Sequence, residues 1–316
     1  MKTSVIESPL HIVIREADIP QIDEEDVLVR LDGTGVCASN LPVWEGREWF
    51  RYPFEPGAPG HEGYGVVADT GKNAGNLSVG DRVSLISYHA YAEYDKAHAS
   101  NVVRMPETLG GTPFPGEPAA CAVNVFRRSD IHADQKVLVI GAGYLGCLLI
   151  QLAKNAGAEV TVVSRRKTSL DFAKLAGADH IVELNDYYKT LSVLKEIFPE
   201  GPERVIEATG AQASIDLATE LIDVRGRLII AGYHQDGLRN VNMQVWNWKG
   251  IDVVNAHERD PEIYISGLME AIALTEKKIL QPERFITHYV ELENINDAFR
   301  MLKERPENFL KAVITY

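Results

Sequence analysis

Side chains that bind metal ions stand at three separate places in the first 120 residues. They are Cys37, the adjacent pair His61 and Glu62, and Glu117. One thiolate, one imidazole and a carboxylate suit a catalytic Zn²⁺ ion that keeps one coordination position open. A lone cysteine is usually a small buried hydrophobe, but this combination predicts a zinc site with these four residues as candidate ligands. The sequence leaves open whether Glu62 or Glu117 binds the metal directly.

A glycine fingerprint follows the candidate ligands. Gly141-Ala-Gly-Tyr-Leu-Gly146 comes directly after the apolar run Lys136–Ile140 and opens a stretch with helical spacing. The three glycines meet the needs of a tight turn, a close approach to pyrophosphate, and helix-to-strand packing. The pattern predicts a nicotinamide dinucleotide at Gly141, Gly143, Tyr144, Leu145 and Gly146. A strand–helix turn without a ligand is the alternative.

The residues after the next predicted strand indicate which dinucleotide is bound. NAD sites usually place a carboxylate here, against the ribose 2′-hydroxyl, whereas this chain has Ser164-Arg165-Arg166. Two guanidinium groups can bind a 2′-phosphate, so the sequence favours NADP(H) over NAD(H). In the alternative interpretation, the arginines only begin a helix. Later predicted strands end at Thr209-Gly210 and at Gly232, which could contact the nicotinamide ribose and ring.

The two sites together predict a hydride transfer. A zinc ion would polarise the oxygen of an alcohol or carbonyl and lower the pKa of the alcohol. Cys37 and His61 would hold the metal together with Glu62 or Glu117, and Ser39 is a candidate to carry the alcohol proton away. An ordinary turn hydroxyl is the alternative for Ser39.

Bulk properties exclude several classes of partner. The net charge of −13 argues against nucleic acid and anionic membranes. No apolar run approaches the roughly 20 residues that span a bilayer, and no signal-peptide core is present, which predicts a cytoplasmic protein. The three cysteines are far apart and predict no disulfide framework.

Five further residues have two interpretations each. Cys121 could approach the metal, although a core thiol is the preferred interpretation, and Cys147 should be buried in a helix. Trp44 and Trp49 could line a substrate pocket or simply pack. His257 could reach a cleft or lie at the surface.

The order of predicted elements divides the chain. Short β-segments before about residue 122 suggest an irregular β-barrel, and the alternation of strands and helices after it predicts a parallel sheet. Strands are predicted at Asp26–Leu31, Gly63–Ala68, Asp81–Ile86, Lys136–Ile140, Glu159–Val163, Arg204–Glu207, Arg227–Ala231, Ile286–Tyr289 and Lys311–Tyr316. Helices are predicted at Tyr144–Ala156, Leu170–Ala176, Glu262–Thr275 and Ile295–Lys303.

These motifs resemble the zinc-dependent medium-chain dehydrogenase/reductase superfamily, of the alcohol and sorbitol dehydrogenase type. The similar segments are Gly35–Ser39, Gly60–Gly63, Gly80–Val83, Glu117-Pro118 with Arg127-Arg128, and the tail Ile286–Phe299. The resemblance implies an α/β protein with a Rossmann doubly wound parallel sheet (122–258) and a GroES-like β-barrel catalytic domain (1–121 with about 259–316). Together with Ser164-Arg165-Arg166, it predicts NADP(H)-dependent oxidation of a secondary alcohol or polyol, or reduction of its ketone.

The sequence departs from the family pattern at three points. Asn40 replaces an aspartate that usually supports the histidine ligand, and Pro42 replaces a relay histidine. The lobe with four cysteines is absent, because Ser84–Val103 runs straight on. We therefore expect one catalytic zinc ion and no structural one.

Two other functions remain open at this stage. A zinc-free quinone or enoyl reductase of the same fold generally lacks the metal ligands, and a catalytically silent cofactor-binding protein is suggested only by Asn40 and Pro42. The family also implies a homodimer or homotetramer, and strand-like runs in Val241–Val254 suit sheet pairing between subunits.

Overall fold

The computed structural model describes residues 1–316, which fold as two compact units. Unit 1 joins Met1–Ala120 with Asp260–Tyr316, and unit 2 is Cys121–Arg259. No helix combines the length and the apolar character that crossing a bilayer requires.

The strands follow in chain order. They are β1 (Lys2–Ser8), β2 (His11–Glu16), β3 (Asp26–Gly35), β4 (Gly63–Thr70), β5 (Arg82–Leu85), β6 (Tyr94–His98), β7 (Val102–Arg104), β8 (Lys136–Ile140), β9 (Glu159–Ser164), β10 (His180–Glu183), β11 (Arg204–Glu207), β12 (Arg227–Ile230), β13 (Asp252–Asn255), β14 (His288–Glu291) and β15 (Ala312–Thr315).

The α-helices are separated by these strands and by short 3₁₀ turns. They are α1 (Leu41–Glu45), α2 (Gly116–Ser129), α3 (Tyr144–Asn155), α4 (Lys167–Leu175), α5 (Tyr187–Ile197), α6 (Gln212–Leu221), α7 (Met243–Lys249), α8 (Pro261–Glu276) and α9 (Ile295–Glu304).

Unit 1 is organised around the ten-residue strand β3. The sheet order is β14-β15-β3-β4-β5-β7, and β6 also pairs with β3. Val27, Val29 and Leu31 are buried because alternate side chains of a strand face the same side. The last strand, β15, runs antiparallel to β3 and sets Val313 opposite Gly35. The end of the chain therefore lies beside the segment that leaves β3.

Unit 2 contains a six-stranded sheet in the order β10-β9-β8-β11-β12-β13, with every pair parallel. Residues 137–140 of β8 are all buried, as expected for a central strand covered on both faces. Strand order reverses beside β8, and ligands of open parallel sheets bind at the carboxyl ends of the strands at such a point. The predicted fold class is confirmed.

One predicted segment is wrong. Val241–Val254 does not consist of strand-like runs, because α7 occupies Met243–Lys249 and only β13 is extended. The Asn242 side chain caps α7 by accepting a hydrogen bond from the Val245 amide at 3.2 Å. Trp246 then turns towards the core of unit 2 and donates to Thr219 Oγ1 at 2.9 Å. Side-chain capping and tertiary packing outweigh the β-propensity of the valines and tryptophans.

Smaller differences lie at element ends. The helix predicted at Leu170–Ala176 begins earlier, at Lys167, and the strand predicted at Ile286–Tyr289 is His288–Glu291. The second shift follows from the 3₁₀ turn Pro282–Phe285, which delays the extended backbone.

Candidate metal and cofactor sites

Cys37 lies just beyond the end of β3. Its backbone is extended, and it precedes the 3₁₀ turn Ala38–Asn40. This turn brings Ser39 back over the cysteine, so Ser39 Oγ donates to Cys37 Sγ at 3.1 Å and lies 3.5 Å from His61 Nε2. Ser39 therefore stands beside two of the predicted ligands.

His61 and Glu62 lie immediately before β4. The Nδ1 atom of His61 is 2.9 Å from the Pro59 carbonyl oxygen. A carbonyl can only accept a hydrogen bond, so Nδ1 carries the proton and Nε2 keeps its lone pair in the neutral ring. This backbone contact orients the ring as a metal ligand requires.

The structure brings three of the four predicted ligands together. The ligand atoms of Cys37, His61 and Glu62 all lie within 4.8 Å of one another. The close approach depends on a glycine: a Cβ atom added at Gly35 would lie 1.8 Å from Glu62 Oε2. Residues far apart in sequence converge here because β3 and β4 are paired neighbours.

Lys311 is part of this site and was missed in the sequence. Its Nζ atom lies 2.7 Å from Glu62 Oε1 and 2.5 Å from Oε2, and it also donates to the Val36 carbonyl at 3.1 Å. The side chains of Lys311 and Glu62 are 6% and 0% exposed, so both charges are buried and compensate each other. The one available signal was a lysine inside the apolar run Phe309–Thr315.

The donor set fits a zinc ion. Glu62 Oε2 is buried and has no hydrogen bond of acceptable geometry, although the Lys311 ammonium is close. Each carboxylate oxygen has two lone pairs, so the contact with Lys311 still leaves Oε2 a lone pair for a metal ion. With the sulfur of Cys37 and Nε2 of His61, it gives the mixed three-ligand set of a catalytic zinc site.

The charges around His61 would make zinc binding at this site pH-dependent. Burial opposes protonation, but the hydrogen bond and charge of Cys37, with the charges of Glu117 and Glu62, raise the pKa of His61 to about 10 in the metal-free protein. Because the pKa is raised in the folded state, this protonation stabilises the fold fully below pH 6.5. The stabilisation is lost as the pH rises towards 10.

We therefore expect zinc to displace a proton from His61. Between pH 6 and pH 9 the apparent zinc affinity should rise by about tenfold per pH unit, because the ligand must be deprotonated. Competition with a chelator at several pH values measures this slope, and calorimetry in two buffers of different ionisation enthalpy counts the released proton. An affinity independent of pH would show that His61 is not a ligand.

Glu117 lies in the first turn of α2. Tyr264, from α8, donates a short hydrogen bond to Glu117 Oε1. The Glu117 charge raises the pKa of His61, yet Glu117 is not in the group of ligand atoms that converge within 4.8 Å. The phenol of Tyr264 was not anticipated, because nothing in its local sequence pointed to Glu117.

Asn40 does not bond the His61 ring, unlike the aspartate that it replaces. Its side-chain oxygen accepts a hydrogen bond from the Tyr91 hydroxyl at 2.9 Å, and its amide donates to the Pro59 carbonyl at 3.3 Å. The Pro59 carbonyl therefore replaces the family's carboxylate as the partner of the histidine ring. Asn40 supports the ring only indirectly, through the loop that both groups share.

The remaining candidate residues lie outside the group of convergent ligand atoms. Trp44 is buried with its ring centroid 5.7 Å from that of Phe299, whereas Trp49 is exposed. Cys147 is buried in α3 as predicted, and Cys121 is half-buried and outside the convergent group. His257 is half-buried, with Nε2 3.2 Å from the Gly232 carbonyl oxygen, so it is not simply a surface residue.

The fingerprint in unit 2 forms the expected strand–turn–helix. Gly141 has a φ of +103°, and an added Cβ would lie 2.5 Å from Thr209 Cγ2. An added Cβ at Gly146 would lie 2.2 Å from the Gly141 carbonyl oxygen, so the helix approaches the turn closely. Helix α3 begins at Tyr144, followed by Leu145. Gly143 before it provides no side-chain cap, and an added Cβ there would meet nothing. Open space before uncapped N–H groups fits a pyrophosphate.

Ser164 ends β9, and Arg165 and Arg166 lie between this strand and α4. Arg165 is exposed and Arg166 is half-buried. No carboxylate follows the strand at these positions. The positive charge of Arg165 and Arg166 suits a ribose that carries a 2′-phosphate better than one with a free hydroxyl.

Thr209, Gly210 and Gly232 come together around the buried carboxylate of Glu207. Glu207 Oε1 accepts from the Thr209 amide at 2.7 Å and the Gly210 amide at 2.9 Å. An added Cβ at Gly232 would lie 2.2 Å from the Gly210 nitrogen. The two loops after β11 and β12 are thus in direct contact.

Two family models match the chain, one for each part. The model described as alcohol dehydrogenase GroES-like domain matches residues 23–127, and the model described as zinc-binding dehydrogenase matches residues 145–273. Together they span most of the sequence.

Curated relatives and solved structures match along the whole chain. D-arabinitol dehydrogenase 1 of Uromyces fabae is 27% identical and covers 95% of this chain and 93% of its own. Sorbitol dehydrogenase of Mus musculus is 27% identical, covering 95% and 92%. A short chain alcohol dehydrogenase of Escherichia coli CFT073, complexed with NADH, has a TM-score of 0.89 at 22% identity and covers 100% and 99%. The chain is an oxidoreductase of the zinc-dependent medium-chain dehydrogenase/reductase superfamily, of the alcohol and sorbitol dehydrogenase type.

Proposed function

We propose that this protein is a zinc-dependent dehydrogenase that transfers hydride between NADP(H) and a secondary alcohol or polyol, or its ketone. The observation that carries the proposal is the convergence of the ligand atoms of Cys37, His61 and Glu62 within 4.8 Å of one another. The polyol dehydrogenases among the relatives support the substrate class.

Each residue of the group has a distinct task in this proposal. A bound zinc ion would supply a Lewis acid for the substrate oxygen. Cys37, His61 and Glu62 would hold the ion. Ser39, which lies beside Cys37 and His61, accepts the proton of the alcohol and passes it on. Because Pro42 cannot relay a proton, the route beyond Ser39 differs from that of relatives with a histidine there.

We assign Glu62, rather than Glu117, as the direct ligand. Glu62 belongs to the convergent group, whereas the Glu117 carboxylate is held by the Tyr264 hydroxyl. Glu117 then acts from the second coordination shell through its charge on His61. Zinc titrations of Glu62→Gln and Glu117→Gln compare the two, and the larger loss of affinity should fall on Glu62→Gln.

The cofactor preference is assigned to Arg165 and Arg166. We expect the double substitution Arg165→Ala/Arg166→Ala to raise the Kd of NADPH by at least about 100-fold, since hydrogen bonds to charged groups contribute roughly 1.5–3 kcal/mol each and about 1.4 kcal/mol is a factor of ten. The Kd of NADH should change little. Fluorescence titration measures both, and the exposed neighbour Lys167→Ala is the control. Tighter binding of NADH than of NADPH by the unaltered protein would contradict the assignment.

The experiment that tests the function is a metal analysis joined to a substrate screen. Protein purified without chelators should contain about one zinc ion per chain. It should oxidise members of a panel of polyols, sugar alcohols and secondary alcohols with NADP⁺. Metal-free protein that reduces quinones or enones would point to a zinc-free reductase. Dinucleotide binding without any turnover would point to a silent cofactor-binding protein.

We also propose that two or four copies associate through unit 2. Strand β13 is at the edge of the parallel sheet, and Leu238 and Trp248 are 99% and 84% exposed. An unpaired strand edge near exposed apolar side chains favours association. A monomeric mass in sedimentation at micromolar concentration would refute this.

A further inference from the structure

The buried carboxylate of Glu207 is the centre of a hydrogen-bonded chain in unit 2. Glu207 ends β11 and is 0% exposed. Its Oε1 atom accepts three hydrogen bonds, from the Thr209 amide, the Thr209 hydroxyl at 2.6 Å and the Gly210 amide. Its Oε2 atom lies 2.9 Å from His234 Nε2. One carboxylate therefore joins its own strand end to the loop that follows β12.

His234 connects this carboxylate to a guanidinium group. Arg239 Nε donates to His234 Nδ1 at 2.9 Å. Because Arg239 can only donate, Nδ1 must accept, and the proton is then on Nε2, where it bonds Glu207. His234 is thus a neutral imidazole in a single tautomer between one anion and one cation.

Arg239 closes these hydrogen bonds into a ring of Glu207, His234, Arg239 and Gly210. Its Nη2 atom donates to the Gly210 carbonyl at 2.7 Å, while Glu207 accepts from the Gly210 amide. The amide of Gly210 is therefore held by Glu207 and its carbonyl by Arg239. Asp236 in turn receives a short hydrogen bond from Arg239 and holds its position.

The ring lies at the sheet edge where a dinucleotide would bind. Strands β8, β11 and β12 are parallel neighbours, so the loops after them meet at one edge. Thr209 packs against the fingerprint, since a Cβ at Gly141 would lie 2.5 Å from its methyl group. A Cβ at Gly210 would lie 2.5 Å from the Tyr233 carbonyl oxygen. The ring thus sets the path of both loops beside the fingerprint.

We propose that His234 and Arg239 are positioning residues for the dinucleotide. Through Glu207 they hold the Thr209–Gly210 backbone and the loop 231–240 in one conformation, so that the cofactor meets a preorganised surface. The identity of the ligand rests on the proposed function, whereas the ordering of the loops does not depend on it.

Two substitutions at His234 separate the effects of its two hydrogen bonds, one to Glu207 and one to Arg239. In His234→Asn the amide can occupy the place of Nδ1, which keeps an acceptor for Arg239 but removes the donor to Glu207. In His234→Gln the amide reaches the place of Nε2, which keeps the donor and removes the acceptor. His180→Gln, at a half-exposed histidine paired with Glu159 at 3.3 Å, is the matched control in the same unit.

Hydrogen exchange without cofactor and NADPH binding are then measured on the full-length protein. We expect His234→Asn to speed exchange of the Thr209 and Gly210 amides by at least about tenfold and to raise the Kd of NADPH by about tenfold. His234→Gln should show smaller changes in both, and His180→Gln none.

Several outcomes overturn the proposal. Unchanged exchange and unchanged Kd in His234→Asn would do so, as would equal effects of the asparagine and glutamine variants. If exchange responds as expected but the unaltered protein binds no dinucleotide, the loop-ordering role is supported and the proposed function fails.

Discussion

Replacing Cys37 with serine should remove zinc from the purified protein and lower kcat at least about a thousandfold. The thiolate is the soft ligand of the set. Loss of a direct ligand should exceed the roughly 10–100-fold loss of metal affinity that follows removal of a residue hydrogen-bonded to a ligand. A metal ion contributes several kcal/mol to the stabilisation of charge on the reacting oxygen, and each 1.36 kcal/mol is a factor of ten in rate. Atomic absorption and steady-state oxidation with NADP⁺ measure the two effects.

The chain contains its own control for this substitution. Cys121→Ser changes a half-buried thiol that is outside the convergent group, and it should retain both zinc and activity. Binding of NADPH to Cys37→Ser should be unaffected, since the fingerprint belongs to unit 2. Retention of zinc in Cys37→Ser, or its loss in Cys121→Ser, would refute the ligand assignment.

Replacing Lys311 with methionine should destabilise unit 1 strongly in the absence of zinc. The substitution conserves side-chain volume but leaves Glu62, with 0% exposure, as an uncompensated buried charge. Removal of one partner from such a pair costs about 3–5 kcal/mol. Added zinc can replace the missing positive charge, so saturation with zinc should restore more stability to Lys311→Met than to the unaltered protein. Calorimetric melting with and without zinc measures the loss of stability and its recovery.

Lys154→Met provides the comparison in unit 2. Lys154 lies 2.7 Å from Asp179, but the side chains are 30% and 35% exposed, so we expect a loss of at most about 1 kcal/mol. Zinc should have no influence on that loss. If Lys311→Met lost equal stability with and without zinc, Lys311 would contribute packing and not charge to the metal site.

Local sequence patterns were sufficient for the strand–turn–helix of the fingerprint and for the ligand segments. The continuous apolar run at Lys136–Ile140 can only be a buried strand when glycines and a helical repeat follow, and β8 has these bounds. Cys37 and the pair His61 and Glu62 stood out because thiolate, imidazole and carboxylate are rare in combination. At Val241–Val254 the local pattern was not sufficient. There the Asn242 cap and the Trp246 contact decided between helix and strand.

The partners of the functional side chains could not be inferred from local sequence. Lys311 is 249 residues from Glu62, Tyr264 is 147 residues from Glu117, and His234 is 27 residues from Glu207. None of these pairs has a characteristic spacing, because each is created by tertiary structure. Strand pairing brings Lys311 to Glu62, a contact between α8 and α2 brings Tyr264 to Glu117, and loops at a common sheet edge bring His234 to Glu207. The partners of Asn40 could not be inferred for the same reason, since Tyr91 and Pro59 reach it only in the folded chain.

The amino-acid sequence by itself determined the order of elements, the identity of the ligand-forming side chains and the positions where only glycine allows the backbone to turn. These depend on the chemistry of single residues and on short-range periodicity. The tertiary structure alone decided which carboxylate joins Cys37 and His61, and which cation neutralises it. That choice depends on the antiparallel pairing of β15 with β3, since a buried charge is tolerated only where folding delivers its counter-charge.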